Sequence, residues 1–295
     1  MGKTSYLIAV IAILIGIILV FNGKAKKQDI FDSSREITVI SREDGSGTRG
    51  AFTELFDVKE EINGKKVDAT LQTGDITQST GVMIENVSSN KYAIGYISLG
   101  SLNERVKALD IDNAKATTEN IKNGSYKIKR PFNIATKGTQ SPSTEDFINF
   151  ILSSDGQKII ENTGYISATE KKKFKSEMPK GKITIAGSSS VAPVMEKLKE
   201  SYEKINNNVT IEINPSDSTT GINGVAENII DIGMASRELK KSEIQKNLKH
   251  TAIAYDGIVI IINNKNPITQ TSAEKIKKIY TGKITTWKEL TKESS

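Results

Sequence analysis

The chain has 295 residues, 37% apolar and 26% charged, enough for one large or two medium domains with a packed core. It has no cysteine, which excludes disulfides, thiolate metal sites and cysteine nucleophiles. Its single histidine, His250, excludes a histidine-rich metal site. The formal charge is +6; Lys3, Lys24, Lys26 and Lys27 supply four of it, leaving +2 on the remainder and no basic footprint for nucleic acid.

Tyr6 to Phe21 is apolar without interruption, with Lys3 before it and three lysines after it. This reads as a signal sequence or signal anchor, somewhat short against the ~20 residues of a spanning helix. No cysteine follows, so it is not a lipoprotein signal, and Asn22–Ala25 makes a poor cleavage site. The expectation is an uncleaved membrane anchor with the globular part outside the cytoplasm, although the lysines that follow argue mildly the other way. Residues 23–34 read as a tether.

The first structured stretch is Ile37–Phe52. Ile37, Val39 and Ile40 give a β-branched strand, Gly45 and Gly47 a tight turn, and Ser46, Gly47 and Thr48 the first turn of a helix. A helix N-terminus offers unpaired N–H groups and the positive end of the dipole, which suit an anion, and Arg42 and Arg49 add guanidinium charge. Taken alone, this is equally a capped strand–helix turn with a solvated arginine. Val67–Leu71 is a short strand, Thr77–Thr80 opens a helix, and Ala93–Leu99 and Val106–Ile111 are strands. After a polar run, Lys127–Ala135, with Arg130-Pro131, reads as an extended crossing strand. Ser143 is the expected N-cap of a helix carrying Phe147 and Phe150, with Asp155-Gly156 as its break and a shorter helical stretch over Gln157–Asn162. Lys171–Lys182 reads as a linker.

Lys182–Gly187 is a second strand of the first kind, followed by Ser188-Ser189-Ser190 and a helix with Pro193 in its first turn. Val191, Met195, Leu198, Tyr202 and Ile205 fall on one face of it. Val209–Ile213 leads into another hydroxyl-rich turn, Asp217–Thr220, and Ile229–Ala235 is a strand ending in Ser236-Arg237. Leu239–Leu248 is predicted helical, Thr251–Asn263 a strand and Ser272–Tyr280 a helix. Strands alternate with helices throughout, so the class is α/β.

Four strand-to-helix turns therefore present serine, threonine, glycine N–H or arginine: Ser46–Thr48, Ser188–Ser190, Ser218–Thr220 and Ser236–Arg237. Ligands of open α/β sheets bind outside the carboxyl ends of strands. Four such turns meeting in one cleft would wrap a tetrahedral oxyanion with neutral donors and one or two arginines. No nucleotide P-loop pattern occurs, and no metal cluster or nucleophile–base pair points to catalysis. A surface or helix-end position is expected for His250.

Ile183–Val194, with its Gly187-Ser188-Ser189-Ser190, resembles the opening of the phosphate-binding proteins of phosphate-specific ABC transporters. So do Asp231–Glu238, Ala254–Ile258 and Ile279–Trp287. Ser41–Phe52, Ala93–Ser98 and Asp155–Ile160 resemble the later half of the same family. The resemblance covers nearly everything after the tether, but the halves stand in reverse order, which suggests a circular permutation cut in one surface loop; a rearranged gene is the alternative. The resemblance implies a two-lobed periplasmic-binding-protein-like (type II) fold with a ligand cleft. One lobe would be built from both chain ends, 36–113 plus 264–295, and the other would be continuous, 114–263, with the anchor and tether in 1–35. Phosphate would be held by Arg42, Ser46, Gly47, Thr48, Ser189, Ser190 and Ser218, with Asp44 holding Arg42. Asp44, Ser188, Thr219, Ser236 and Arg237 would be further contacts or rim residues. Where the family has an aspartate that accepts the proton of hydrogen phosphate, this chain has Arg237. Either another acceptor such as Asp44 reads that proton or sulfate is excluded less strictly; a rim arginine paired with a carboxylate is the alternative for Arg237. The resemblance further implies no enzyme activity, no cofactor and no metal, inorganic phosphate and ABC permease subunits as partners, and a monomer. A phosphate-sensing or adhesive surface module, and more remotely a phosphoester hydrolase, are the rivals.

Overall fold

The computed structural model describes residues 30–169 and 172–291. The expected anchor segment, Tyr6–Phe21, lies outside the described residues. The chain divides into Met1–Asp32 and Ser33–Ser295. The elements of the second unit run β1 (Thr38–Arg42), α1 (Gly47–Leu55), β2 (Lys59–Ile62), β3 (Lys65–Asp68), β4 (Asp75–Thr77), α2 (Thr80–Ser89), β5 (Ala93–Ser98), β6 (Val106–Ala108) and β7 (Asp110–Ile111). Next come α3 (Thr118–Lys122), β8 (Lys129–Lys137), α4 (Pro142–Leu152), α5 (Ser154–Asn162), β9 (Ile166–Ser167), β10 (Gly181–Ser188) and α6 (Ala192–Ile205). The series ends with β11 (Val209–Ser216), α7 (Ser218–Ala226), β12 (Ile232–Ala235), α8 (Lys241–Ile244), β13 (Leu248–Asn263), β14 (Gln270–Thr271), α9 (Ala273–Tyr280) and α10 (Trp287–Thr291).

The strand order is β11-β10-β12-β8-β13-β5-β1-β4, with β6 and β9 also on β13. The 16-residue strand β13 organises it. Up to Gly257 it runs antiparallel to β8; from Ile258 it runs antiparallel to β5 and β6. Ile258–Asn263, expected with the continuous half, thus pair with strands of the other half, because one uninterrupted apolar strand serves both. Ile258 to Ile262 are completely buried, as an all-apolar run covered on both faces should be.

On the β8 side, Phe147, Phe150 and Tyr202 of α4 and α6 pack over Ile183, Ile185 and Met234. On the β5 side, Phe52 stacks on Tyr96 with ring centroids 4.0 Å apart, and Tyr280 meets Phe52 at 4.5 Å, geometries that aromatic quadrupoles favour. Phe52 and Tyr280 come from opposite ends of the chain. Ile37 N–H donates to the Thr285 carbonyl (2.8 Å), Leu71 N–H to that of Tyr280 (2.8 Å), and Glu36 bridges Thr286. The two ends of the chain therefore close one sheet layer together.

Local chemistry shifts several expected boundaries. Ser141, not Ser143, caps α4, because Pro142 takes the first helical position. Asp155-Gly156 lies inside α5, whose cap is Ser153. Helix α8 keeps only Lys241–Ile244 of the expected Leu239–Leu248. Ile205 is exposed, so the apolar face of α6 ends at Tyr202. His250 lies exposed on β13. Among the described residues no helix is long and apolar enough to cross a membrane.

Candidate functional site

Strand β1 ends at Arg42, and the turn after it delivers Ser46 as the N-cap of α1; its side-chain oxygen accepts from the Arg49 N–H. Strand β10 ends in Ser188, so Ser188–Ser190 lie just before α6. Ser218 opens α7 behind its cap Asp217, and Ser236 follows β12. These four turns meet. Thr48 Oγ1 and Ser190 Oγ are 2.8 Å apart, and Ser188 Oγ donates to Ser236 Oγ at 2.9 Å. The Ser236 N–H donates to Ser218 Oγ at 3.1 Å, and the Thr219 N–H and hydroxyl both donate to the Gly45 carbonyl. A Cβ on Gly47 would stand 2.2 Å from Ser218 Oγ, so the lack of a side chain there is what lets the amino ends of α1 and α7 touch. Residues 142 or more positions apart in the chain thus share one cluster of hydroxyls and helix amino ends, the equipment for an oxyanion.

Arg42 is buried, its side chain 2% exposed, and its Nη2 donates to Ser189 Oγ at 3.2 Å. Its fork is held by Glu43 (Nε–Oε2 2.8 Å, Nη2–Oε1 2.7 Å), not by Asp44 as expected. Asp44 points to solvent, 96% exposed, and takes Arg49 Nη1 at 2.8 Å. Strand β1 stops at Arg42 and the chain turns at Asp44-Gly45, which leaves the Glu43 carboxylate against the Arg42 fork and carries Asp44 outward. Asp44 thus stands at the edge of the cluster, on the solvent side. Arg237 is likewise held by a carboxylate: both its terminal nitrogens bond Glu243 at 2.8 Å, and Nη2 also donates to the Thr219 hydroxyl at 3.1 Å. Burial pushes the Glu243 carboxyl up, but the Arg237 bonds and the Lys240 N–H outweigh it and hold it below the usual carboxylate range.

Three further residues belong to the cluster. Arg130, with a side chain 1% exposed, lies opposite Asp256 in the β8–β13 ladder; its Nε and Nη2 donate to Asp256 Oδ2 at 3.1 and 2.9 Å. Its Nη1 donates to Thr48 Oγ1 at 2.8 Å and to the Ser236 carbonyl at 3.1 Å. Burial pushes the Asp256 carboxyl up against the pull of Arg130. Thr80, at the start of α2, brings its hydroxyl within 3.1 Å of Ser190 Oγ and its N–H to Ser189 Oγ. The signal for Asp256 was present in the chain, as a lone charge in the otherwise uncharged stretch Thr251–Ile262, while Arg130 stands two residues before the core residue Phe132.

Strand ends and helix amino termini from distant parts of an α/β fold thus converge on one hydroxyl-lined cluster. The family described as PBP superfamily domain matches residues 17–155 and 168–295. "Phosphate-binding protein PstS 2" of Streptococcus agalactiae is 52% identical over 262 residues, 88% of this chain and 89% of that protein. A crystal structure titled as a phosphate ABC transporter, phosphate-binding protein from Streptococcus pneumoniae TIGR4 is 45% identical, with a TM-score of 0.68, over 86% of this chain and 99% of that one. "Phosphate-binding protein PstS" of Bacillus subtilis is 31% identical over 156 residues only, 52% of this chain and 49% of that protein. The chain belongs to the PBP superfamily and, within it, to the PstS phosphate-binding proteins. Its α/β fold is of the periplasmic-binding-protein type.

Proposed function

We propose that this chain binds inorganic phosphate outside the cytoplasm and hands it to the permease of an ABC transporter, without catalysing a reaction. The observation that carries this is the convergence of Thr48, Ser190, Ser188, Ser236 and Ser218 with the buried Arg42 and Arg130 where the amino ends of α1, α6 and α7 meet. Arg42, Ser46, Gly47, Thr48, Ser189, Ser190 and Ser218 are the proposed contacts, with Thr80 and Arg130 added to them. Ser188 and Ser236 stand behind, and Thr219 fastens the rim at Gly45. A tetrahedral oxyanion offers several acceptor oxygens to such a cluster of donors, and a contact spread over both jaws favours their closed arrangement.

We take the jaws to be two lobes: 36–113 with 258–291, and the segment between them, meeting where β8 and β13 cross. The order of the halves is read as a circular permutation. It accounts for a match along 89% of the streptococcal protein but along only 49% of the Bacillus one, since an alignment that keeps chain order can hold a single half. Tyr6–Phe21 is read as the anchor that keeps the protein, as a monomer, at the outer face of the membrane.

Calorimetric titration of the purified full-length chain with phosphate and then sulfate tests the reading. Saturable binding of one phosphate per chain is expected; a flat phosphate titration overturns it.

A further inference from the structure

We infer that Asp256 is a positioning residue that holds Arg130 as a bond shared between the two jaws, so that anion contact and jaw closure are coupled where β13 changes partners. This rests on the reading of the hydroxyl cluster as an anion cleft. Asp256 sits at the end of the β8 ladder, two residues before Ile258 begins the β5 ladder. Its Oδ2 takes two nitrogens of Arg130, and its Oδ1 accepts the Ser98 hydroxyl of β5 at 2.9 Å. The carboxylate therefore ties both ladders together and fixes the plane of the guanidinium. Only Nη1 is left to reach forward, and it makes one bond to each jaw: Thr48 Oγ1 on the first and the Ser236 carbonyl on the second. Thr48 passes the link to Ser190. Parting the jaws breaks one of the two Nη1 bonds, and an anion seated on Thr48 and Ser190 favours keeping both.

Stability alone is a poor reason for this pair. Taking both charges out of water costs about as much as their attraction returns, and apolar pairs of similar volume are often as stable. Lysine could not serve in place of Arg130, because one ammonium cannot face Asp256 with two donors and aim a third at Thr48.

The test compares wild type with Arg130→Met/Asp256→Leu and each single variant by phosphate calorimetry, with X-ray scattering to follow compaction on saturation. The double variant is expected to fold, to bind phosphate about tenfold or more weaker, and to compact less. Asp256→Leu should add no further loss in the Arg130→Met background, since its whole effect runs through Arg130. A double variant that titrates like wild type, or an Asp256 effect that persists without Arg130, overturns the inference. Should the double variant fail to fold, Ser98→Ala decides: it removes only the hydroxyl that steadies Asp256 and is expected to weaken phosphate about threefold, whereas an unchanged isotherm overturns the inference. A wild type that ignores phosphate refutes the cleft reading itself, and the inference with it.

Discussion

Replacing Gly47 by alanine places one methyl group where the jaws touch. The new Cβ would stand 2.2 Å from Ser218 Oγ, 2.7 Å from Ser236 Oγ and 3.0 Å from Ser218 Cβ. Neither serine can simply rotate away: Ser218 Oγ accepts the Ser236 N–H, and Ser236 Oγ accepts from Ser188. Gly47 is the first residue of α1 and has an ordinary helical backbone, so alanine there is locally favourable, by up to about 1 kcal/mol. The cost thus falls on the contact between jaws and not on the fold of either. Overpacking of this size costs about 1–3 kcal/mol, and one displaced hydrogen bond adds about 1 kcal/mol. A net penalty of about 2–3 kcal/mol on the closed form weakens phosphate roughly 30- to 150-fold. Calorimetry of wild type, Gly47→Ala and Gly81→Ala measures it; an added Cβ on Gly81 meets nothing closer than 4.0 Å, which makes that variant the control. The melting temperature without phosphate should stay within about 3 °C of wild type. A Gly47→Ala isotherm that overlays wild type refutes the reasoning, and so does a large fall in the phosphate-free melting temperature with affinity intact.

Arg42→Ala removes a buried guanidinium beside Ser189 and is expected to weaken phosphate by about 2 kcal/mol or more, read by the same titration. Arg237→Ala strands the buried Glu243 carboxylate and should cost about 3 kcal/mol of stability in urea unfolding while leaving the phosphate isotherm close to wild type. The stability difference between wild type and Arg237→Ala depends on pH in a fixed direction. Glu243 is held below its ordinary value of 4.5 in the folded protein, so its contribution is complete above that pH and is lost as pH falls through the folded value. Urea titrations at pH 7 and pH 3.5 check this, and a difference that grows on acidification contradicts it.

Much of this was legible in the chain because each jaw is a local motif. A β-branched strand, a glycine or serine turn and an amphipathic helix are set by neighbours within a few residues, and Ser46–Thr48, Ser188–Ser190 and Ser218 land together as their turns predict. What could not be read was pairing chosen in three dimensions. Arg42 had Glu43 and Asp44 within reach, and only the turn's geometry selects Glu43. Arg237 finds its carboxylate six residues on, across a turn that composition made look like a helix. Arg130 and Asp256 lie 126 positions apart and meet only through the register of two crossing strands. Asp256 left a trace in the sequence, one charge in the otherwise uncharged stretch Thr251–Ile262; Arg130, with Lys129 beside it, left none that set it apart.

The pairing also bears on how the cleft selects its ligand. Arg42 faces Glu43, Arg49 faces Asp44 and Asp68, Arg130 faces Asp256, and Arg237 faces Glu243. Each arginine at or beside the cluster has its own carboxylate, so the field left over for an anion is small. The formal +6 of the chain is therefore not what draws phosphate. The donors left to meet it are neutral hydroxyls and N–H groups, together with single edges of Arg42 and Arg130. Neutral donors reward a ligand only at hydrogen-bond distance, about 2.7–3.2 Å, and lose nearly everything when the jaws part. A strong net charge would go on holding the anion across an open cleft. In the proposed site, countered arginines and uncharged donors would bind when closed and let go when open, the behaviour that a carrier handing on its ligand needs. That places the control of affinity in the jaw contact itself, at Gly47, Thr48 and Arg130, more than in any single charge.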